Sequence, residues 1–396
     1  MSGNAPSRVL LVHDVIGDLG GAEANVRLSA QGLAARGCQI ALLHGPGTGI
    51  GEARFQEIFP TRFDWHQDPL ALQQALAWQP QLIFVHKLAD LGILRGIVAS
   101  GIASLRMVHD HDIYCQRGYR YFPWNRQICT RKAGYACALT CGVVRNRQGP
   151  LPLKLAWPGR KLRELDLARQ FTRHIVATPY MQRELELHEI ARISILPPVP
   201  KPAPPGFQAD YAKPLLLFVG QVIRGKGCDH FIRACARLRS PDWHGLIIGD
   251  GNHLPACQHL IRKLGLQGRL RCTGWVEQQE LHRYYTHARA GLIPSMWPEP
   301  FGAIGVEFML HGLPAIGYDA GGIADWLAHE QIGLLCPYGD ITALAAAMDR
   351  VLAEPETAAA WGREARRIAE RDFVHERYLD QLHALACATV EEHARS

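Results

Sequence analysis

Residues 295–326, SMWPEPFGAIGVEFMLHGLPAIGYDAGGIADW, concentrate groups able to hold an anion and a polyol. Pro298 and Pro300 stiffen a loop carrying Glu299, Gly302 opens a helical segment that contains Glu307, and Gly312 ends it. A helix start has backbone N–H groups without intrahelical acceptors and roughly half a positive charge, so the amides of Gly302, Ala303 and Ile304 suit a diphosphate. Glu299 and Glu307, eight residues apart, then flank that anion as acceptors for sugar and ribose hydroxyls. Two carboxylates alone are compatible with two surface residues, and it is the surrounding glycines and prolines that point to a site.

Two other glycine-containing loops carry groups of the same kind. FVGQVIRGKGCDHF, residues 218–231, runs from a strand-like into a helical segment and presents Lys226 where a phosphate-binding lysine is useful. By itself it is also compatible with an ordinary strand-to-helix turn. GDLGGAEANV, residues 17–26, follows the first strand-like run, and Gly20 and Gly21, lacking Cβ, let backbone amides come close to a phosphate or an acceptor. The loop is not GxGxxG and no acidic residue ends the next strand, which disfavours a nicotinamide dinucleotide. Glu23, one turn into the following helix, reads as a partner of the helix N-terminus. In LRMVHDHDIYC, residues 105–115, His109 and Asp110 end a strand, whereas His86 at another strand end reads as a core or surface histidine.

Such loops need a frame that gathers strand ends. Apolar runs alternate with helical patterns throughout, the signature of parallel βαβ units. Strands are expected at 9–13, 39–43, 82–86, 105–109 and 174–178, then at 215–220, 245–249, 270–274, 290–294 and 314–318. Between the two sets lies LPPVPKPAPPGF, residues 196–207, whose six prolines impose extended geometry. Single cores rarely exceed ~250 residues, so 396 residues predict two domains. A last helical stretch, about 356–395, is long enough to pack on the second domain and reach back to the first.

With Pro300-Phe301-Gly302 between them, Glu299 and Glu307 resemble the Glu-x7-Glu motif of retaining GT-B glycosyltransferases of family GT4. The likeness continues in Gly20-Gly21-Ala22-Glu23, the loop 220–227, Gly249-Asp250-Gly251, Gly274-Trp275-Val276, Pro294-Ser295 and Gly321-Gly322. It implies an α/β GT-B fold, two Rossmann-like domains whose parallel sheets face a central cleft. The implied division is an acceptor-binding domain over 1–200, a proline-rich linker over 201–212, a nucleotide-sugar-binding domain over 213–375, and a terminal helix over 376–396 packing back on the first domain. By the same resemblance Glu307 binds the donor ribose, Glu299 the 3-hydroxyl of the donor sugar, and the amides of Gly302, Ala303 and Ile304 the diphosphate. Gly20, Gly21, Gln221, Arg224, Lys226, Gly251, Val276 and Phe301 join them on the donor, and His109, Lys226 and Glu299 form the implied catalytic set.

The family's chemistry has the acceptor hydroxyl attack on the face from which the nucleotide departs, with the leaving phosphate as base and no metal required. Positive charge and helix amides at the phosphate then carry most of the rate. Two departures bear on this. Where the family has an arginine after the first glycine of the phosphate loop, this chain has Gln221, whose neutral amide supplies no compensating charge; Arg224 stands three residues on. Asp325 replaces the glutamate common after the paired glycines. A catalytically silent nucleotide-sugar-binding protein of the same fold therefore stays open, an epimerase is disfavoured because the full set of resemblances is to transferases, and the motifs do not choose between UDP-, GDP- and ADP-sugars.

Four of the eleven cysteines, Cys115, Cys129, Cys137 and Cys141, fall within 27 residues. They are compatible with a structural Zn²⁺, with an iron–sulfur cluster, or with four unrelated small core residues. The net charge of +6 divides into +9 over residues 1–201 and −3 over the rest. Between Cys115 and Arg173 thirteen basic residues face only Glu164 and Asp166, which suits an anionic membrane surface or anionic acceptor as well as a solvated face. The stretch lacks the periodic aromatics of single-strand binders, which disfavours nucleic acid. No signal-peptide layout and no spanning apolar run is found, so the expected place is the cytoplasm, with any membrane contact peripheral.

Overall fold

The computed structural model of the protein describes residues 5–18, 20–145, 153–200, 202–211 and 213–395. They form two compact units. The first takes the chain up to Gly118, then Arg131–Pro198, then the segment from His375 on; the second takes Tyr119–Thr130 and Val199–Val374.

The strands of the first unit are β1 Arg8–His13, β2 Gln39–His44, β3 Thr61–Asp64, β4 Leu82–Val85, β5 Ala103–Met107, β6 Val143–Arg145, β7 Leu153–Leu155, β8 Arg173–Val176 and β9 Ile193–Ile195. Seven of them make one parallel sheet in the order β3-β2-β1-β4-β5-β8-β9, while β6 and β7 pair antiparallel on their own. Val9 to Val12 and Leu82 to Val85 are fully buried, as a parallel strand with helices over both faces must be. Carboxyl ends of parallel strands emerge on one edge. His13 ends β1, His86 follows β4 and His109 lies just past β5, so the neighbouring strands β1, β4 and β5 deliver three histidines side by side.

The second unit holds β10 Leu215–Val219, β11 His244–Ile248, β12 Leu270–Gly274, β13 Ala288–Ile293, β14 Ala315–Tyr318 and β15 Gly333–Cys336, all parallel in the order β12-β11-β10-β13-β14-β15. Here the adjacent β10, β13 and β14 deliver Gly220, Ser295 and Gly321 to one edge. All ten strands expected from the sequence are present within two residues of their predicted limits. The unpredicted ones are the sheet edges β3, β9 and β15 and the hairpin β6–β7. Edge strands are short and only half covered, so TRFD and ISI carry little apolar signal.

The proline-rich stretch is packed against the second unit. Tyr211 donates from its hydroxyl to the Gly312 carbonyl (2.5 Å), Arg366 donates to the Phe207 carbonyl (2.7 Å), and the Phe207 ring meets His311 edge-on at 4.8 Å. Lys201 and Ala212, at its ends, lie outside the described residues. The helical stretch expected over about 356–395 consists of two helices, Pro355–Asp372 in the second unit and His375–Arg395 in the first. The latter seats Leu379 so close to Gly32 that a Cβ there would meet it at 2.2 Å, and the Asn25 amide donates to the Tyr378 hydroxyl at 2.8 Å.

Candidate functional site

The second unit builds its cluster on three loops. The β10 loop enters a short 3-10 turn, Arg224–Lys226, and leaves it through Gly227 at φ 69°, where a Cβ would fall 1.7 Å from the Pro294 carbonyl oxygen. Only glycine fits. The Gly225 carbonyl accepts from the amides of Met296 and Trp297 (2.8 and 2.9 Å), which ties this turn to the β13 loop. Lys226 Nζ thereby reaches Glu299 Oε1 at 2.7 Å and Oε2 at 3.0 Å, and lies 5.2 Å from the centre of the Trp297 ring. The Ser295 hydroxyl donates to Glu299 Oε1 at 2.5 Å. Burial pushes the Glu299 carboxyl up, but Lys226, and then hydrogen bonds from Lys226, Ser295 and Trp297, more than reverse this and hold it below the usual carboxylate range.

The backbone of Glu299 is fixed from the β14 loop: its amide donates to the Ala320 carbonyl and its carbonyl accepts from Gly322 N (2.7 Å). Gly302, at φ 82°, caps the helix Ala303–Leu310, which has no side-chain cap. A Cβ at Gly302 would sit 3.8 Å from that of Glu299, so the acid and the helix start are neighbours. Glu307, on the same helix, accepts from the buried Tyr285 hydroxyl at 2.9 Å. Phe301 is buried and its carbonyl accepts from Trp326 Nε1 (2.7 Å). The loops at Val222 and Gly251 touch so closely that a Cβ at Gly251 would meet the Val222 carbonyl at 2.5 Å, while Val276 is half-buried beyond β12.

The departures from the family pattern are also visible. Gln221 is exposed, and Arg224 donates through Nη1 to the Pro123 carbonyl at 2.7 Å. Pro123 belongs to a turn that sequence reasoning missed. Tyr119–Thr130 folds back on itself, with Tyr121 bridged to Ile128, and clamps the loop after β10. Its Arg126 makes two bonds to Asp229, at 2.9 and 2.7 Å, and a third to the Arg224 carbonyl at 3.2 Å. Tyr338 holds the Arg126 carbonyl from the other side. Burial raises the Asp229 carboxyl and Arg126 outweighs it, leaving the acid below its ordinary range.

In the first unit His109 Nε2 lies 3.1 Å from His86 Nδ1 with the rings stacked at 5.3 Å, and His13 Nε2 lies 3.1 Å from Glu23 Oε1. Glu23 thus serves a buried histidine as well as its helix. Burial is the main reason that His109 is pulled to about 4; Asp110 opposes it, and His13 and Lys87 add to it. Lys87 bridges Asp110 (2.6 Å) and Asp112 (3.3 Å). Gly21 starts the helix Gly21–Ala35, and a Cβ on it would meet nothing within 4 Å; Gly20 has only Glu23 Oε2, at 3.9 Å. Packing therefore demands a glycine at neither position. His111 is core, bonded to the Tyr114 hydroxyl at 2.6 Å.

Cys115, Cys129, Cys137 and Cys141 are half-buried and take part in no disulfide. Cys137 and Cys141 end a five-residue helix, Cys129 belongs to the second unit, and among the described residues no three His, Cys, Asp or Glu side chains are grouped to hold a metal ion. The structure does not bring these four together as a ligand set.

Residues 205–368 match the family model described as glycosyl transferases group 1. Over 144 residues the chain is 32% identical to the 2-deoxystreptamine glucosyltransferase of Streptomyces kanamyceticus, covering 36% of this chain and 37% of that protein. Over 169 residues it is 28% identical to the 2-deoxystreptamine N-acetyl-D-glucosaminyltransferase of Niallia circulans, covering 42% of each. The matches thus span about two fifths of these relatives' lengths. In structure it is similar to Anabaena Alr3699/HepE, solved in complex with UDP, with a TM-score of 0.71 at 17% identity over 96% of this chain and 99% of that one. Over residues 205–368 the chain is similar to the glycosyl transferases group 1 family, and its two units are the Rossmann-like pair from which the GT-B fold is made.

Proposed function

We propose that the protein is a retaining glycosyltransferase that moves a sugar from a nucleotide-diphosphate sugar to an acceptor hydroxyl, in cell-envelope polysaccharide or glycolipid synthesis on the inner face of a membrane. The observation that supports this best is the Lys226–Glu299 pair beside the uncapped helix start at Gly302. In this reading the amides of Ala303 and Ile304 and the Lys226 ammonium receive the diphosphate, Glu299 takes a hydroxyl of the donor sugar and Glu307 the ribose. The acceptor oxygen forms its bond to the anomeric carbon as the bond to the diphosphate breaks, and its proton passes to the departing phosphate oxygen. Neutral at pH 7, His109 exchanges a hydrogen bond with the sugar.

A second reading, a nucleotide-sugar binder with little or no turnover, is favoured by the exposed neutral Gln221 and by the engagement of Arg224 with Pro123. A thermal-shift panel of UDP-, GDP- and ADP-sugars identifies the donor base by mass action. Transfer with the stabilising donor, followed by NMR of the anomeric centre, then decides the activity. Retained configuration supports the proposal and inversion overturns the mechanism. Donor binding without transfer in the parent, with transfer gained in Gln221→Arg, establishes the second reading.

A further inference from the structure

The first unit carries an apolar surface that none of its described residues covers. Tyr135, Leu139, Val143, Leu155 and Trp157 are 63, 90, 59, 66 and 63% exposed. They come from one local stretch of structure. A turn bonded from Tyr135 to Ala138 leads into the helix Cys137–Cys141, which carries Leu139 at its centre. Val143 pairs directly with Leu155 in the β6–β7 ladder, and Trp157 follows two residues beyond the end of β7. The Trp157 ring closes the patch on Tyr135, 5.7 Å away.

The sequence on either side of this patch is basic, and Lys132 there is paired to an acid, Glu189. From Asp112 to Glu164 the sequence contains eleven lysines and arginines and not one acidic residue between them. Arg131 and Lys132 precede the patch and Arg160 and Arg163 follow it on the helix Gly159–Ala168, all four exposed. Among the described residues no helix is long and apolar enough to cross a membrane. Tyr and Trp rings with an apolar body and a polar edge settle at the headgroup level of a bilayer, and lysine and arginine near an anionic leaflet add electrostatic attraction.

We propose that Tyr135, Leu139, Val143, Leu155 and Trp157 form a docking surface for an anionic lipid bilayer, inserted shallowly and held by the flanking basic residues. Its use, bringing the enzyme to a lipid-borne acceptor, rests on the transferase reading above; the binding itself does not, so it is measured without donor or acceptor.

The test is sedimentation of the full chain with sucrose-loaded vesicles, either pure phosphatidylcholine or an equimolar mixture with phosphatidylglycerol. Binding to the mixed vesicles, weakened by salt, is expected. Leu139→Glu with Trp157→Glu, and separately Leu139→Ser with Leu155→Ser, lower the partition coefficient by about tenfold or more with an unchanged melting temperature, because each side chain is exposed. The proposal is overturned if the parent binds neither vesicle, if both variants bind as the parent does, or if light scattering shows a dimer that these substitutions dissociate, the patch then being covered by a second copy of the chain. Failure here leaves the donor-binding assays untouched, and failure of those leaves vesicle binding untouched.

Discussion

Lys226 Nζ stands 2.7 Å from Glu299 Oε1, and the carboxylate it neutralises is only 4% exposed. Removing one partner of such a pair strands the other charge, at a cost of about 3–5 kcal/mol when both are buried. Lys226 keeps 28% of its side chain in solvent, so Lys226→Met is expected at the low end of that range. Glu299→Gln in the same chain restores part of the loss, and a double-mutant cycle by chemical denaturation measures the coupling. Turnover behaves differently: each single variant lowers kcat by about 100-fold or more, and the double variant recovers none of it.

Arg126 reaches neither Lys226 nor Glu299 by any hydrogen bond described above, yet it fixes the turn that carries Lys226. Arg126→Ala is expected to raise the donor KM and lower kcat/KM by about tenfold, through a loosened Arg224–Lys226 turn. Arg126→Lys keeps the charge on Asp229 but not the fork, so it recovers the melting temperature more than the donor KM. Steady-state kinetics on both variants beside their melting curves separates positioning from plain stability.

Three buried histidines and the half-buried His109 set an acid limit. His109, His230 and His311 are pulled to about 4 and His174 to about 3, burial being the leading cause in each. An unfolded chain binds these protons near pH 6.5, so between pH 6.5 and 4 it takes up protons that the folded chain refuses. Stability is therefore lost as pH falls through that window, by up to about 1.4 kcal/mol per pH unit for each group. The depressed carboxyls Glu299 and Asp229 add their own loss only at lower pH. Urea titrations at stepped pH check this, and His109→Gln flattens the slope.

Gly21 and Gly227 are glycines for different reasons. Gly21→Ala meets open space, so folding changes by less than about 0.5 kcal/mol, and a fall in donor or acceptor affinity then reports a ligand close to that backbone. Gly227→Ala needs φ 69° and collides with the Pro294 carbonyl, so it destabilises by several kcal/mol. Isothermal binding and denaturation on the two variants give opposite patterns.

The central strands and the Glu299–Glu307 segment were legible because both rest on local pattern: fully apolar runs for buried parallel strands, and glycine and proline where a helix starts. What escaped was long-range. Arg126 and Asp229 are 103 residues apart, and nothing in YRYFPWNRQICT marks it as a clamp on the loop after β10. Tyr285 and Glu307 meet across two helices, and His86, read as a core or surface residue, is core and also the direct partner of His109. The break at Phe373–Val374, by contrast, falls next to the limit expected between residues 375 and 376.

That break sets the order in which the residues of the two units are made. The last residue of the second unit, Val374, precedes the helix His375–Arg395 that the first unit still lacks at that point. Until then Gly32 has no Leu379 against it, Asn25 no Tyr378, and Arg173 no Glu392. The part synthesised first is thus the last to be complete, and its sheet waits for residues made about 200 positions after its final strand, β9.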